Sequence, residues 1–124
     1  MDLLKRGAIQ APAVPAEQVD VPELGGAVLV RGMMLSDRLQ FSDWRATVAK
    51  AAAGETDEQA HARTGSLVVA RLLSVCVVDA DGAPIFTMAQ WEQFGAQHAG
   101  RCLALFDIAW KSSGFDEVAI VKNS

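Results

Sequence analysis

Two histidines, two cysteines and one acidic turn are the residues of this chain whose types could do chemistry. His61 lies in the polar run GETDEQAHART and His98 in Gln-His-Ala-Gly. A histidine serves as a metal ligand or a proton-transfer base only with partners placed to hold it. Neither stands in a Cys, Asp or Glu pattern that specifies a metal, so both read as surface or loop residues. Cys76 and Cys102 are far apart in sequence, each on an apolar face. They read as buried free thiols of a reducing compartment, with a disulfide as the lesser alternative. Asp79, Asp81 and Gly82 resemble a fragment of a calcium loop, but the third oxygen ligand and the glutamate at the twelfth position are missing. Turn chemistry is the better reading, because Asp side chains bond nearby backbone and Gly supplies positive φ. Gly25-Gly26 is not a phosphate loop, and no GxSxG nucleophile motif occurs. No catalytic, cofactor-binding or metal residue is therefore assigned, and the expectation is a protein that is not an enzyme and carries no cofactor.

The elements that would position these residues are organised around LVVARLLSVCVVDADGAPIF, residues 67–86. Apolar positions 68, 69, 72, 73, 75 and 76 fit a buried helix face, while Val75, Val77 and Val78 could equally make a short strand. Thr87 reads as the N-cap of the next helix. Before this stretch, residues 18–21 and 27–31 alternate around Gly25-Gly26 and predict a β-hairpin, with Pro22 at a strand end or edge. Ser36 predicts a helix start, and Phe41, Trp44 and Val48 give that helix its buried stripe. Residues 54–64 are polar and read as a loop, with Ser66 capping the central helix. Helices are thus expected over about 36–53, 66–77, 87–96 and 100–112. Cys102, Leu105, Phe106, Ala109 and Trp110 lie on one side of the last, which Ser112-Ser113-Gly114 stops. A short N-terminal helix over residues 2–9, an extended linker at Pro12 and Pro15, and a helical face carrying Val118 and Val121 complete the chain. The fold class is mainly α, a small α+β domain in which an N-terminal β-hairpin precedes about four packed helices. One domain spans residues 1–124, with an arm at 1–16 and a flexible polar insert at 54–65.

A chain of 124 residues can bury a real core. Its 51% hydrophobic content and mean hydropathy of +0.19 are high for a small soluble protein and favour a homo-oligomer. Residues 27–31 are the expected pairing edge. The net charge of −4 and scattered basic residues exclude a nucleic-acid surface. No run approaches the roughly 18 apolar residues of a membrane span, and no signal-peptide core is visible, so the expected location is the cytoplasm. The aromatics at helical spacing read first as core and second as interface. Val28, Val30, Trp44, Leu72, Val75, Trp91 and Trp110 are the candidate partner-binding residues.

Three ordered blocks resemble the tail assembly chaperones of long-tailed bacteriophages. Val19-Asp20-Val21-Pro22-Glu23, Gly25-Gly26 and Val28-Leu29-Val30-Arg31-Gly32 are similar to that family's VDVPEWGGTVxVRG hairpin, with Asp37, Arg38 and Phe41 standing where an acidic-Arg pair and a Phe usually follow. Ala70-Arg71-Leu72-Leu73 through Asp79-Ala80-Asp81-Gly82 to Ile85-Phe86-Thr87 looks like its apolar helix, DEDG turn and LFT helix start. Leu105-Phe106-Asp107-Ile108-Ala109 with Ser113-Gly114 is the third. The resemblance covers roughly residues 17–124. Leu24 stands in place of an aromatic, Met34-Leu35 in place of a more polar turn, and residues 116–121 are more apolar than the family's acidic helix.

The resemblance implies a non-enzymatic chaperone in the host bacterium's cytoplasm, absent from the finished virion. It would bind the tape measure protein, keep its apolar helices soluble, and help assemble the tail tube. It also implies a longer, frameshifted form that engages the tail tube protein. Val121-Lys122-Asn123 suits such slippage, since Lys and Asn codons both begin AA; an ordinary polar helix end is the alternative. Two other functions compete: a structural phage protein of the head–tail junction or tail, and a small ligand-binding or enzymatic domain using a pocket on the central helix.

Overall fold

The structure, a computed structural model, describes residues 15–115. The expected N-terminal helix and the segment after Phe115, including Val121 to Asn123, lie outside them. The hairpin forms as its alternation predicts. Strand β1, Ala16–Val21, pairs antiparallel with β2, Gly26–Arg31, and Val19 sits opposite Val28. Pro22–Leu24 form a short 3-10 turn between the strands, closed where Gly25 at φ 84° donates its N–H to the Pro22 carbonyl at 3.0 Å. Val21, Val28 and Val30 are buried on the sheet's inner face.

Helix α1, Leu35–Val48, begins one residue before the expected cap, with Met34 in extended conformation at its start. Ser36 lies inside the first turn and caps nothing. The helix ends at Val48, short of the expected 50–53.

The largest departure from the sequence reading concerns residues 54–64. Helix α2 runs Asp57–Cys76, so the polar stretch expected as a loop supplies its first turns. Thr56 and Gln59 form a capping box, each side chain bonding the other's backbone N–H at 3.1 and 3.0 Å. Asp57 and Glu58 in the first turn complement the positive end of the helix dipole. Ser66 is mid-helix. The true connection, residues 49–56, is tied down: Glu55 pairs with Arg63, and Arg63 Nη2 also donates to the Lys50 carbonyl. The Thr64 hydroxyl contacts both the Val48 and Ala60 carbonyls.

After Cys76 the backbone turns extended and β3, Val77–Val78, joins β2 antiparallel. Both alternatives for the central stretch are therefore realised, helix through residue 76 and strand after it. The order β1-β2-β3 makes β2 the central strand. Strand β3 covers Leu29 and Val30, so residues 27–31 are not a free pairing edge along their whole length; among the described residues, β1 presents the long outer edge. The acidic turn closes as its residues predict. Asp79 Oδ1 accepts from the Asp81 and Ala83 N–H groups at 2.8 and 3.0 Å, and Gly82 adopts φ 83°.

Helix α3, Met88–Gln97, starts at a Thr87–Gln90 capping box, and α4, Ala99–Ser112, follows with its start at His98. Helix α2 packs against α1, α3 and α4, and the sheet lies on α2 and α4. Phe41, Leu72, Leu73, Cys76, Trp91, Leu105 and Ala109 meet the sheet valines in one core. The result is the mainly α fold, four helices with a small N-terminal sheet, that the residue patterns predict.

Candidate functional site

The chemistry-bearing residues do not converge. His61 is exposed on the first turns of α2, and His98 lies at the α3–α4 junction with its ring 4.8 Å from that of Phe94. Among the described residues no three His, Cys, Asp or Glu side chains gather where they could hold a metal ion. Cys76 and Cys102 are both buried thiols. Burial pushes the Cys76 thiol up to about 11, against a weaker opposing contact from the Ser113 hydroxyl. Burial also raises Cys102. Thiols held protonated are poor nucleophiles and poor ligands.

The structure offers instead an apolar groove of about 540 Å³ between the last three helices. Its walls are Gly65, Val69 and Leu73 of α2, Gly95 and Ala96 of α3, and Leu103 of α4. Gly65 and Ala96 contribute no bulk, and that is what leaves the space open. At Gly95 even a methyl group would meet Cys102 Sγ at 3.4 Å, so the two shorter helices approach closely there. Leu103, at the rim of the groove, is 58% exposed. Trp91 forms part of the floor. It packs edge-on against Phe86 and Phe94 at 5.0 and 5.5 Å, and its buried Nε1–H meets no acceptor among the described residues. An unmade hydrogen bond of this kind is costly in a core.

The seven candidate partner residues divide between the interior and the surface. Val28, Val30, Leu72 and Trp91 are in the core, at most 7% exposed, and hold the fold together. Only Trp91 among them also borders the groove. Trp44, Val75 and Trp110 are half-buried. Trp44 and Trp110 belong to a second cluster, in which Phe41 contacts Trp44 at 5.9 Å and Trp110 stacks on Phe115 at 4.1 Å. Alternation and helical spacing mark apolar faces but do not distinguish a face covered by the chain from one left open. Gly65, Gly95, Ala96 and Ala99 are small residues that add nothing to an apolar periodicity, so the sequence does not mark the groove. Gly95 and Ala96 lie at the end of α3 and Ala99 opens α4, so only the packing of the two helices brings them to one groove.

Comparison with known protein families, curated proteins and solved structures finds no match to this chain. Among the described residues no helix is long and apolar enough to cross a membrane.

Proposed function

We propose that this protein is a non-enzymatic tail assembly chaperone that holds apolar helices of the tape measure protein in the groove between α2, α3 and α4. The observation that carries the proposal is the groove itself: open, apolar and walled by three helices. Helix-in-groove binding uses such a surface, with anchors of the partner helix filling a preformed apolar cleft. The exposed Leu103 at the rim would be covered on binding, a gain of roughly 1 kcal/mol or more from its apolar area. The tape measure protein is named as partner on the resemblance of the three ordered sequence blocks to the tail assembly chaperones.

Gly65→Leu separates function from stability. A Cβ at Gly65 meets no atom within 4 Å, and the residue is mid-helix. Leucine there should stabilise α2 by about 0.5–1 kcal/mol while filling the groove. Co-expressed with the cognate tape measure protein, the wild type should keep it in the soluble fraction and Gly65→Leu should not. Equal solubility with both would remove the groove as the binding site. Detection of this chain by mass spectrometry in purified virions would favour the structural tail protein instead. A small apolar ligand is the second reading, favoured by the groove's volume, and a thermal-shift screen addresses it.

The proposal includes a homo-oligomer, and a longer form made by ribosomal slippage at residues 121–123 that engages the tail tube protein. Expressing the gene with its downstream DNA should give a minor larger product, and synonymous recoding of those codons should abolish it.

A further inference from the structure

Away from the groove, three arginines lie over three aromatic rings in one connected cluster. Arg38 and Arg45 stand seven residues apart on α1. The Arg38 guanidinium lies over the Phe115 ring, 4.7 Å from its centre, and the Arg45 guanidinium over Trp110 at 5.4 Å. Arg71 reaches from α2 over Trp44 at 5.2 Å. Phe115 and Trp110 stack on each other, and Phe41 touches both Trp44 and Phe115. On α2, Arg71 is two residues from both Val69 and Leu73, about half a turn around, so the cluster and the groove use opposite sides of that helix.

A guanidinium over a ring gives its flat face to the π-system and keeps its N–H edge, a rigid fork that matches a carboxylate. The described residues leave those edges unused. Their ion pairs join Arg63 to Glu55, Arg101 to Glu23 and Lys111 to Asp107, and none of the three stacked guanidiniums hydrogen-bonds a described residue. The rings also restrict the arginine side chains before any partner arrives, which lowers the entropy lost on binding. Arg and Trp are the residue types that dominate binding energy at protein interfaces. Three arginines gathered in one place, on a chain of net charge −4, attract anionic groups to that place.

We propose that Arg38, Arg45 and Arg71 form the docking site for an acidic helical segment of a partner protein. Carboxylates two helical turns apart on that segment, about 10 Å, would meet the Arg38 and Arg45 forks. A nucleic acid fits less well, because the ring faces on which bases would stack are already covered by guanidiniums and by one another. The proposal is independent of the groove and of its occupant.

The test is fluorescence anisotropy of a labelled helical peptide of Ala, Leu and Glu, with Glu at every seventh position, beside the same peptide carrying Gln. The full chain should bind the Glu peptide at least ~10-fold more tightly than the Gln peptide. Arg45→Gln and Arg71→Gln should each weaken it several-fold, and Arg45→Lys, which keeps charge and packing length but not the fork, should restore only part of the loss. Lys50→Gln, which removes an exposed charge elsewhere, should change binding by less than about twofold. Equal affinity for the two peptides, or a Lys50→Gln effect as large as that of Arg45→Gln, would overturn the proposal. A thymidine oligonucleotide that bound more tightly than the Glu peptide would overturn it in favour of a nucleic acid. Peptide binding that appeared only in an Asp116→Asn/Glu117→Gln variant would overturn it by assigning the arginines to the chain's own carboxylates.

Discussion

Gly32 follows β2 directly, and a Cβ at that position would overlap the Ser112 carbonyl at the end of α4. The Gly32 N–H donates to the Pro15 carbonyl at 2.8 Å, and the next N–H, that of Met33, to Ser113 Oγ at 3.1 Å. One glycine therefore lets the hairpin and the last helix close on each other. Gly32→Ala should cost about 3 kcal/mol, the upper range of overpacking, read as a lower midpoint in urea. Ser113 is itself buried and also sits 4.0 Å from Cys76 Sγ. The fold holds that thiol protonated. Above about 9 the unfolded chain gains by ionising it, whereas the folded chain resists until about 11. This contribution to stability is complete below about 9 and lost as pH rises toward 11, and Cys102 adds in the same direction. Urea melts across that pH range should show stability falling with pH, and Cys76→Ala should flatten the slope; an unchanged slope would mean the thiol is not the group responsible.

At the scale of elements, helix starts decide the architecture. Thr56 and Thr87 each head a capping box: Thr56 turns a polar segment into the first turns of a helix that ends in the core at Cys76, and Thr87 starts the helix that carries the buried Trp91. Thr56→Ala and Thr87→Ala should each cost about 1 kcal/mol, detectable as matching losses in chemical denaturation. Asp57 is the first residue of α2 rather than a loop position. Asp57→Ala should therefore cost a few tenths to about 1 kcal/mol, more at low salt than at high, as expected of a charge near a helix N-terminus. A loss that did not shrink with added salt would point away from the dipole.

At the scale of the molecule, α2 is the shared wall of everything else. It packs on α1, α3 and α4, meets the sheet, lines the groove and carries Arg71 on its far side. Leu72 is completely buried within it, while Phe106 is only half-buried on α4. Leu72→Ala should cost roughly 2–5 kcal/mol by leaving a cavity, and Phe106→Ala distinctly less than its size alone would give. Comparable losses at the two sites would show that Phe106 is covered in solution, as a self-associated form would do.

The hairpin, the acidic turn, the Thr87 cap and the buried faces of α2 and α4 were legible in the residues, because each rests on local chemistry: alternation, positive φ, a hydroxyl three residues ahead of a glutamine, a repeat of 3.6. Residues 54–64 misled for a related reason. Their polarity suggests a loop, but helix formation is cooperative, and a capped start joined to the apolar run that follows extends α2 through them. Local pattern was silent on three matters. It did not show that β2 would be flanked on both sides, because β3 comes from a segment nearly fifty residues later. It did not separate Val28, Val30, Leu72 and Trp91, covered by the chain itself, from apolar residues left at the surface. It gave no sign of the groove or of the arginine–aromatic cluster, since both are made by side chains of different helices. Apolar periodicity fixes which side of a helix turns inward; only tertiary packing decides whether another element fills the space it faces.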